Sequence, residues 1–292
     1  MDINLLSVLT GLIVLGATSG VLGVFALLRR KALLSDTLAH AALPGVCIAY
    51  LVGGKQLGWL LTGAFISGLL GIGAVSVITH RTRLKEDAAL ALTLSVFFGF
   101  GIVLLTGIQR WGDGYQSGLD RFLFGQAAAL LPHEVVYLTL ACLFILAIVA
   151  VLFKEFALLC FDRDYARVIG LPVRLLDALL MGLIALIVVL GLQGAGALLM
   201  VALMITPAAA ARLCTHRLSL IVGLAALFGG LSAVGGVLMS AFYGRLPTGP
   251  VMVLTASALF LGVFLFRHLM QGERQRQRPS LSPLERGQGE GK

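Results

Sequence analysis

Asp36 and His40 stand four residues apart in Ser35-Asp36-Thr37-Leu38-Ala39-His40, at the mouth of an otherwise uncharged, apolar stretch. On a helix, positions i and i+4 share one face, one turn apart. A carboxylate and an imidazole so placed are ligands for a divalent transition metal. Ionisable groups inside a bilayer are expensive unless something compensates them, which makes function the first reading and a structural hydrogen-bonded pair the second. Leu43-Pro44-Gly45 follows by about one turn. A proline leaves the carbonyl four residues earlier without its helical partner. For Pro44 that is the carbonyl of His40, a further oxygen beside the pair, although many membrane helices carry a proline with no such role.

The elements that must position this pair are membrane spans. Mean hydropathy is +0.99 and only 12% of residues are charged, against about a quarter in soluble domains. Residues 3–28, 56–79, 88–109, 135–153, 218–244 and 246–266 contain no Asp, Glu, Lys or Arg. Each reaches or nearly reaches the ~20 residues a bilayer helix needs. Residues 32–54 form another span, interrupted only by Asp36 and His40. The uncharged run 178–211 is too long for one helix and breaks at Gly191-Leu192-Gln193-Gly194-Ala195-Gly196. Two spans joined by a tight hairpin bring the total to nine, with eight as the alternative. The fold class is therefore an all-α, polytopic integral membrane protein.

With nine spans, every Lys and Arg except Lys55, Arg110, Arg121 and Arg245 falls on one side. The positive-inside rule makes that side cytoplasmic, with the N-terminus outside and the C-terminus inside. The basic balance thus reflects membrane insertion and does not imply nucleic-acid binding. Cys47, Cys142, Cys160 and Cys214 show no paired spacing and read as small apolar packing residues. The first apolar run lacks a basic leader and is expected to remain as span one. Residues 1–269 form one transmembrane domain, and the polar tail 270–292 is expected to be disordered. The outer segment 108–134 includes a polar–aromatic stretch, 116–125, suited to an interfacial helix. Gly16…Gly20 and Ser67…Gly71 are small-xxx-small patterns of ordinary helix packing.

Residues 154–177, the longest cytoplasmic loop of this topology, are not loop-like. Leu158, Leu159, Phe161, Tyr165, Val168 and Ile169 supply apolar contacts among Asp162, Arg163, Asp164 and Arg167. Asp162 or Asp164 suits the cap of a short helix that Gly170-Leu171-Pro172 would end. Such a helix fits either a soluble partner or lipid headgroups. No phosphate-binding loop occurs, the nearest fragment being Gly53-Gly54-Lys55-Gln56. Any ATP coupling through that machinery must come from another subunit.

Three stretches, in order, resemble the permease subunits of ABC transporters that import manganese, zinc or iron. Ser35-Asp36 through His40-Ala41-Ala42-Leu43-Pro44-Gly45 is similar to the family's SDxxxHAxLPG segment. Phe161-Asp162 to Leu171-Pro172 is similar to its FDxxxARxxGLP loop. Residues 193–212 resemble its glycine-rich hairpin and proline-bearing span. The resemblance covers residues 1 to about 270. It implies a type II ABC-importer-like permease in the bacterial cytoplasmic (inner) membrane. It also implies a second permease, identical or paralogous, cytoplasmic ATP-binding subunits and an extracytoplasmic metal-binding protein. Metal-pathway roles pass to Asp36 and His40. ATPase docking passes to the loop bearing Asp162, Asp164, Ala166, Gly170, Leu171 and Pro172. Gln193 and Pro207 are candidates for lining the pathway. No cofactor is expected to be held permanently, the transported Mn²⁺ (or Zn²⁺ or Fe²⁺) being cargo. The stretch 117–130 looks more like manganese-type members, and one Asp and one His with oxygen donors suit Mn²⁺, whereas a tight Zn²⁺ site more often adds Cys or further His.

His80, His216 and His268 sit among basic residues and read as solvated, while His133-Glu134 reads first as the start of an outer span and second as a contact for the binding protein or an arriving cation. Two other functions compete. A stand-alone proton-coupled transporter would place carboxylates in several spans, whereas here there is essentially Asp36, with Asp177 near the cytoplasmic boundary. A membrane-embedded enzyme would need a nucleophile–base pair or facing Asp residues, and the sequence has no G-x-S-x-G and no second intramembrane Asp.

Overall fold

The computed structural model describes residues 3–54, 56–111, 131–194, 196–243 and 247–276. Among them every regular element is an α-helix. In chain order these are α1 (Ile3–Leu28), α2 (Leu34–Gly53), α3 (Leu57–Arg81), α4 (Glu86–Trp111), α5 (Pro132–Val151), α6 (Phe153–Phe161), α7 (Arg163–Val168), α8 (Val173–Gly194), α9 (Ala197–Cys214), α10 (Leu218–Tyr243) and α11 (Thr248–Arg276). The stretch 116–125, read as interfacial, lies outside the described residues, as do residues 277–292 of the tail. Helix α11 itself continues to Arg276, past the domain boundary read at residue 269.

Among the described residues, eight helices are long and apolar enough to cross a membrane. The ninth apolar run becomes α9, which has 18 residues and contains Pro207. At 1.5 Å per residue it is about 27 Å long, just short of a hydrocarbon core. The long uncharged run does break in its glycine-rich stretch, between Gly194 and Ala197. The ends that charge asymmetry assigns to one side also meet in space. Lys31 pairs with Glu86 at 2.7 Å, and Arg267 donates to the Leu213 carbonyl at 2.6 Å. At the opposite ends Trp59, Tyr137 and Tyr243 are exposed, as aromatic residues are at a membrane interface.

Helices α1, α2 and α8 are mostly buried, whereas α3, α4, α5 and α11 turn most of their surface outward. Helix α1 packs along α10, and α2 lies against α3 and α4. The α1–α10 crossing rests on absent side chains. A Cβ on Gly16 would run into the Gly229 carbonyl, one on Gly229 into the Gly16 carbonyl, and one on Gly20 into the Ala225 carbonyl. The Gly16…Gly20 pattern is thus a packing seam, where small residues let two backbones approach. Gly229→Val is expected to cost about 1–3 kcal/mol or more, because the clash is with backbone and no rotamer relieves it. Gly223, on the same helix, has open space around it. Gly223→Ala should leave stability unchanged or raise it by about 0.5–1 kcal/mol. Thermal unfolding of both detergent-purified variants checks this, and equal stability of the two would refute it.

Candidate functional site

The site is built on α2. Asp36 lies in its first turn, where the helix dipole favours a carboxylate. His40 Nε2 stands 3.5 Å from Asp36 Oδ1, and their side chains are 14% and 34% exposed. That distance is long for a hydrogen bond. It is close to the separation, on the order of 3 Å, that two ligands of one ion keep when each bond is about 2.1 Å. The imidazole meets the Phe98 ring edge-on at 4.7 Å between centroids, so α4 covers one side of it.

The helix carrying the pair is fixed on several sides. Thr37 Oγ1 donates to the Leu33 carbonyl at 3.1 Å and reaches the Leu90 carbonyl of α4 at 3.4 Å. Buried Ser67 of α3 donates to the Ala41 carbonyl at 2.6 Å. Gly45 and Gly63 bring α2 and α3 into backbone contact. Ser67 and Gly71, the second small-xxx-small pattern, therefore pack directly beneath the pair's own helix. Pro44 and Pro207 are both buried within their helices. Gln193 falls in the last turn of α8, and its side chain lies outside those described.

Of the five histidines, only His40 is shielded; His80, His133, His216 and His268 are exposed. Glu134 is engaged locally, its carboxylate accepting the Leu131 backbone N–H at 3.0 Å to cap α5. Among the described residues no group of three or more His, Cys, Asp or Glu side chains could hold a metal ion. Among the described residues Asp36 and His40 form a carboxylate–imidazole pair, not a larger cluster.

The stretch 154–177 holds two short helices where the sequence suggests one. Helix α6 packs on α1 through Phe156, whose ring meets that of Phe25 at 5.9 Å. Asp162 then adopts an extended conformation (φ −145°, ψ 93°) and accepts the Tyr165 backbone N–H at 2.8 Å, capping α7. At the far end Gly170 has φ +83°. Its N–H bonds to the Arg167 carbonyl, and that of Leu171 to the Ala166 carbonyl, each at 3.1 Å. This is the left-handed helix stop that glycine favours. Ala166 faces inward and is buried, while Phe161, Tyr165, Val168 and Ile169 are exposed, Val168 at 83%. Beside them an open groove of about 500 Å³ is lined by Arg167, Gly170, Leu171, Pro172 and Arg174. Asp164 pairs with Arg167 at 2.9 Å and is almost wholly in solvent.

The sequence reading passed over one cluster. Asp177, in the second turn of α8, forms ion pairs with Arg29 at the end of α1 and with Arg163 of α7. The signal was available, because a lone carboxylate just inside a span needs a cation.

A bundle of membrane-length helices with a carboxylate–imidazole pair on an inner helix is the architecture of a polytopic integral membrane protein. Residues 1–267 match the family model described as ABC 3 transport family, and the chain belongs to that family. It is similar to the manganese transport system membrane protein MntC of Bacillus subtilis (strain 168), with 48% identity over 255 residues. That match covers 87% of this chain and 59% of the relative, so the chain spans less than two thirds of that protein's length. The zinc transport system membrane protein TroC of Treponema pallidum (strain Nichols) is 41% identical over 261 residues, covering 89% of this chain and 88% of TroC. Among solved structures, PsaBC from Streptococcus pneumoniae in complex with Fab matches with a TM-score of 0.80 and 31% identity, over 90% of this chain and 92% of that one. As a family member the chain is a transport subunit and not an enzyme in its own right.

Proposed function

We propose that this chain is the membrane-spanning permease of an ATP-driven importer of divalent transition-metal ions, with Mn²⁺ as its principal cargo. The observation that carries the reading is the Asp36–His40 pair, two ligands at one-ion spacing on an inner helix of an otherwise apolar bundle. Two oxygen- and nitrogen-donor ligands, with no cysteine beside them, favour Mn²⁺ over a tightly held Zn²⁺. The relative MntC, 48% identical, is named for manganese transport. TroC, at 41%, keeps zinc as the second cargo to test. A second permease facing this one would bring another Asp/His pair to a shared axis and complete a four-ligand site that still releases its ion.

The remaining partners follow from the same reading. ATP-binding subunits dock on residues 162–172, where the apolar residues exposed around α7 and the groove beside Arg167 and Arg174 offer a seat. A metal-binding protein delivers the ion from outside, and the assembly sits in the bacterial cytoplasmic membrane.

Uptake of radiolabelled Mn²⁺ by cells with and without the permease tests this. Expected uptake depends on the permease, is competed more strongly by Mn²⁺ than by Zn²⁺ or Fe²⁺, and survives a protonophore while ATP is maintained. Collapse on adding the protonophore alone would transfer the reading to a stand-alone proton-coupled transporter. Stronger competition by Zn²⁺ would change the cargo.

A further inference from the structure

Arg29, Asp177 and Arg163 come from three otherwise distinct parts of the permease. Arg29 sits just past the end of α1, Asp177 near the start of α8, and Arg163 opens α7. The Asp177 carboxylate divides its two oxygens between them: Oδ1 takes Arg29 and Oδ2 takes Arg163. Arg29 is the buried member, with 6% of its side chain exposed, while Arg163 is 45% exposed. Burial makes the Arg29 contact obligatory, because a desolvated guanidinium without a counter-charge is strongly unfavourable. The Arg163 contact is the half that can open.

What lies on either side gives the cluster its meaning. Arg163 follows Asp162, the cap of α7, within the loop that carries the exposed apolar residues and the groove. Arg29 opens the turn that leads directly into Asp36. That turn is short and held throughout. Arg30 takes a left-handed conformation, φ +58°, uncommon for a residue with a side chain. The Arg30 N–H bonds to the Leu27 carbonyl at 3.1 Å, and the Lys31 N–H to the Ala26 carbonyl at 2.9 Å. Lys31 also pairs with Glu86 of α4 at 2.7 Å. The Leu34 N–H and the Ser35 hydroxyl then bond back to the Lys31 and Ala32 carbonyls, each at 3.1 Å. A segment so tied transmits displacement instead of absorbing it, since packed elements shift as units.

We infer that Asp177 is an ionic joint through which movement of the 162–172 loop reaches the α1–α2 turn and hence the Asp36–His40 pair. Asp177 is a positioning residue, touching neither metal nor nucleotide. The inference rests on the proposed ATP-driven transport, and its test separates the two. The closing experiment uses the permease complex purified with its ATPase and reconstituted in vesicles, measuring ATP hydrolysed and Mn²⁺ accumulated per folded permease.

Arg163→Gln removes only the half-exposed contact. Because Arg163 lies within the docking loop, co-purification of the ATPase is read alongside: in complexes that keep their ATPase, Mn²⁺ accumulated per ATP hydrolysed should fall at least about fivefold, and Arg163→Lys should restore most of the loss. Asp177→Asn strands buried Arg29 and is expected to reduce the amount of folded permease. Arg29→Gln with Asp177→Asn removes both charges, and should recover folded protein without recovering the ATP-to-Mn²⁺ ratio. A purely structural role predicts the opposite, a normal ratio in every molecule that folds. A wild-type ratio in Arg163→Gln, or in the folded double variant, would overturn the joint. Failure of the wild-type complex to couple hydrolysis to Mn²⁺ movement would instead overturn the transport reading.

Discussion

Asp36→Asn is expected to lower Mn²⁺ uptake per folded permease molecule by more than about tenfold, since losing even an outer-shell partner of a metal site costs 10- to 100-fold. Asparagine keeps the shape and removes the charge, so α2 should pack as before. Among the described residues its near neighbour is His40, at 3.5 Å. His40→Ala should produce a similar loss, with an added gap beside the Phe98 ring. If both residues act on one ion, the double variant is no worse than either single, as grossly non-additive effects are expected of groups acting as a unit. Asp36→Glu retains a charged oxygen donor and should keep more uptake than Asp36→Asn. A structural pair predicts another pattern, in which lost transport tracks lost folded protein. The measurement is uptake normalised to permease extracted folded from the membrane. Normal uptake per molecule in Asp36→Asn would remove the pair from the pathway.

Much of this site was legible because its parts are local in sequence. A four-residue spacing on a helix fixes the adjacency of Asp36 and His40 whatever the tertiary structure does. Asp162 as a cap and Gly170-Leu171-Pro172 as a stop are likewise decided within a few residues. Hydropathy located the spans because a bilayer helix must satisfy its own backbone. Tertiary partners were less accessible. Arg29 and Asp177 are separated by 148 residues, and nothing near either names the other. The extended backbone at Asp162, which separates α6 from α7, carries no glycine or proline to announce it. The shortness of α9 was hidden by an uncharged run that continues smoothly across the hairpin. The glycines divide the same way. The sequence shows that Gly16 and Gly20 are spaced for close packing, whereas only the structure shows that they meet Gly229 and Ala225.

Gly170→Asp should leave the permease in the membrane at its normal level while abolishing most uptake. The substitution meets no steric obstacle, because a Cβ at this position has open space around it. Its effect comes from backbone and charge. Gly170 has φ +83°, and a left-handed conformation costs an ordinary residue roughly 1–2 kcal/mol. That penalty falls on the two bonds to Arg167 and Ala166 that end α7, and not on the spans. The new carboxylate stands in the groove between Arg167 and Arg174. There it changes the charge of the groove proposed as the seat of the ATPase. Gly170→Ala separates the causes, since it carries the strain without the charge and should keep partial uptake. Co-purification of the ATPase with the permease reads docking directly, and uptake reads the consequence. If Gly170→Asp still retains the ATPase and transports normally, α7 does not seat a partner, and the exposed Phe161, Tyr165, Val168 and Ile169 on and around it lie on lipid instead.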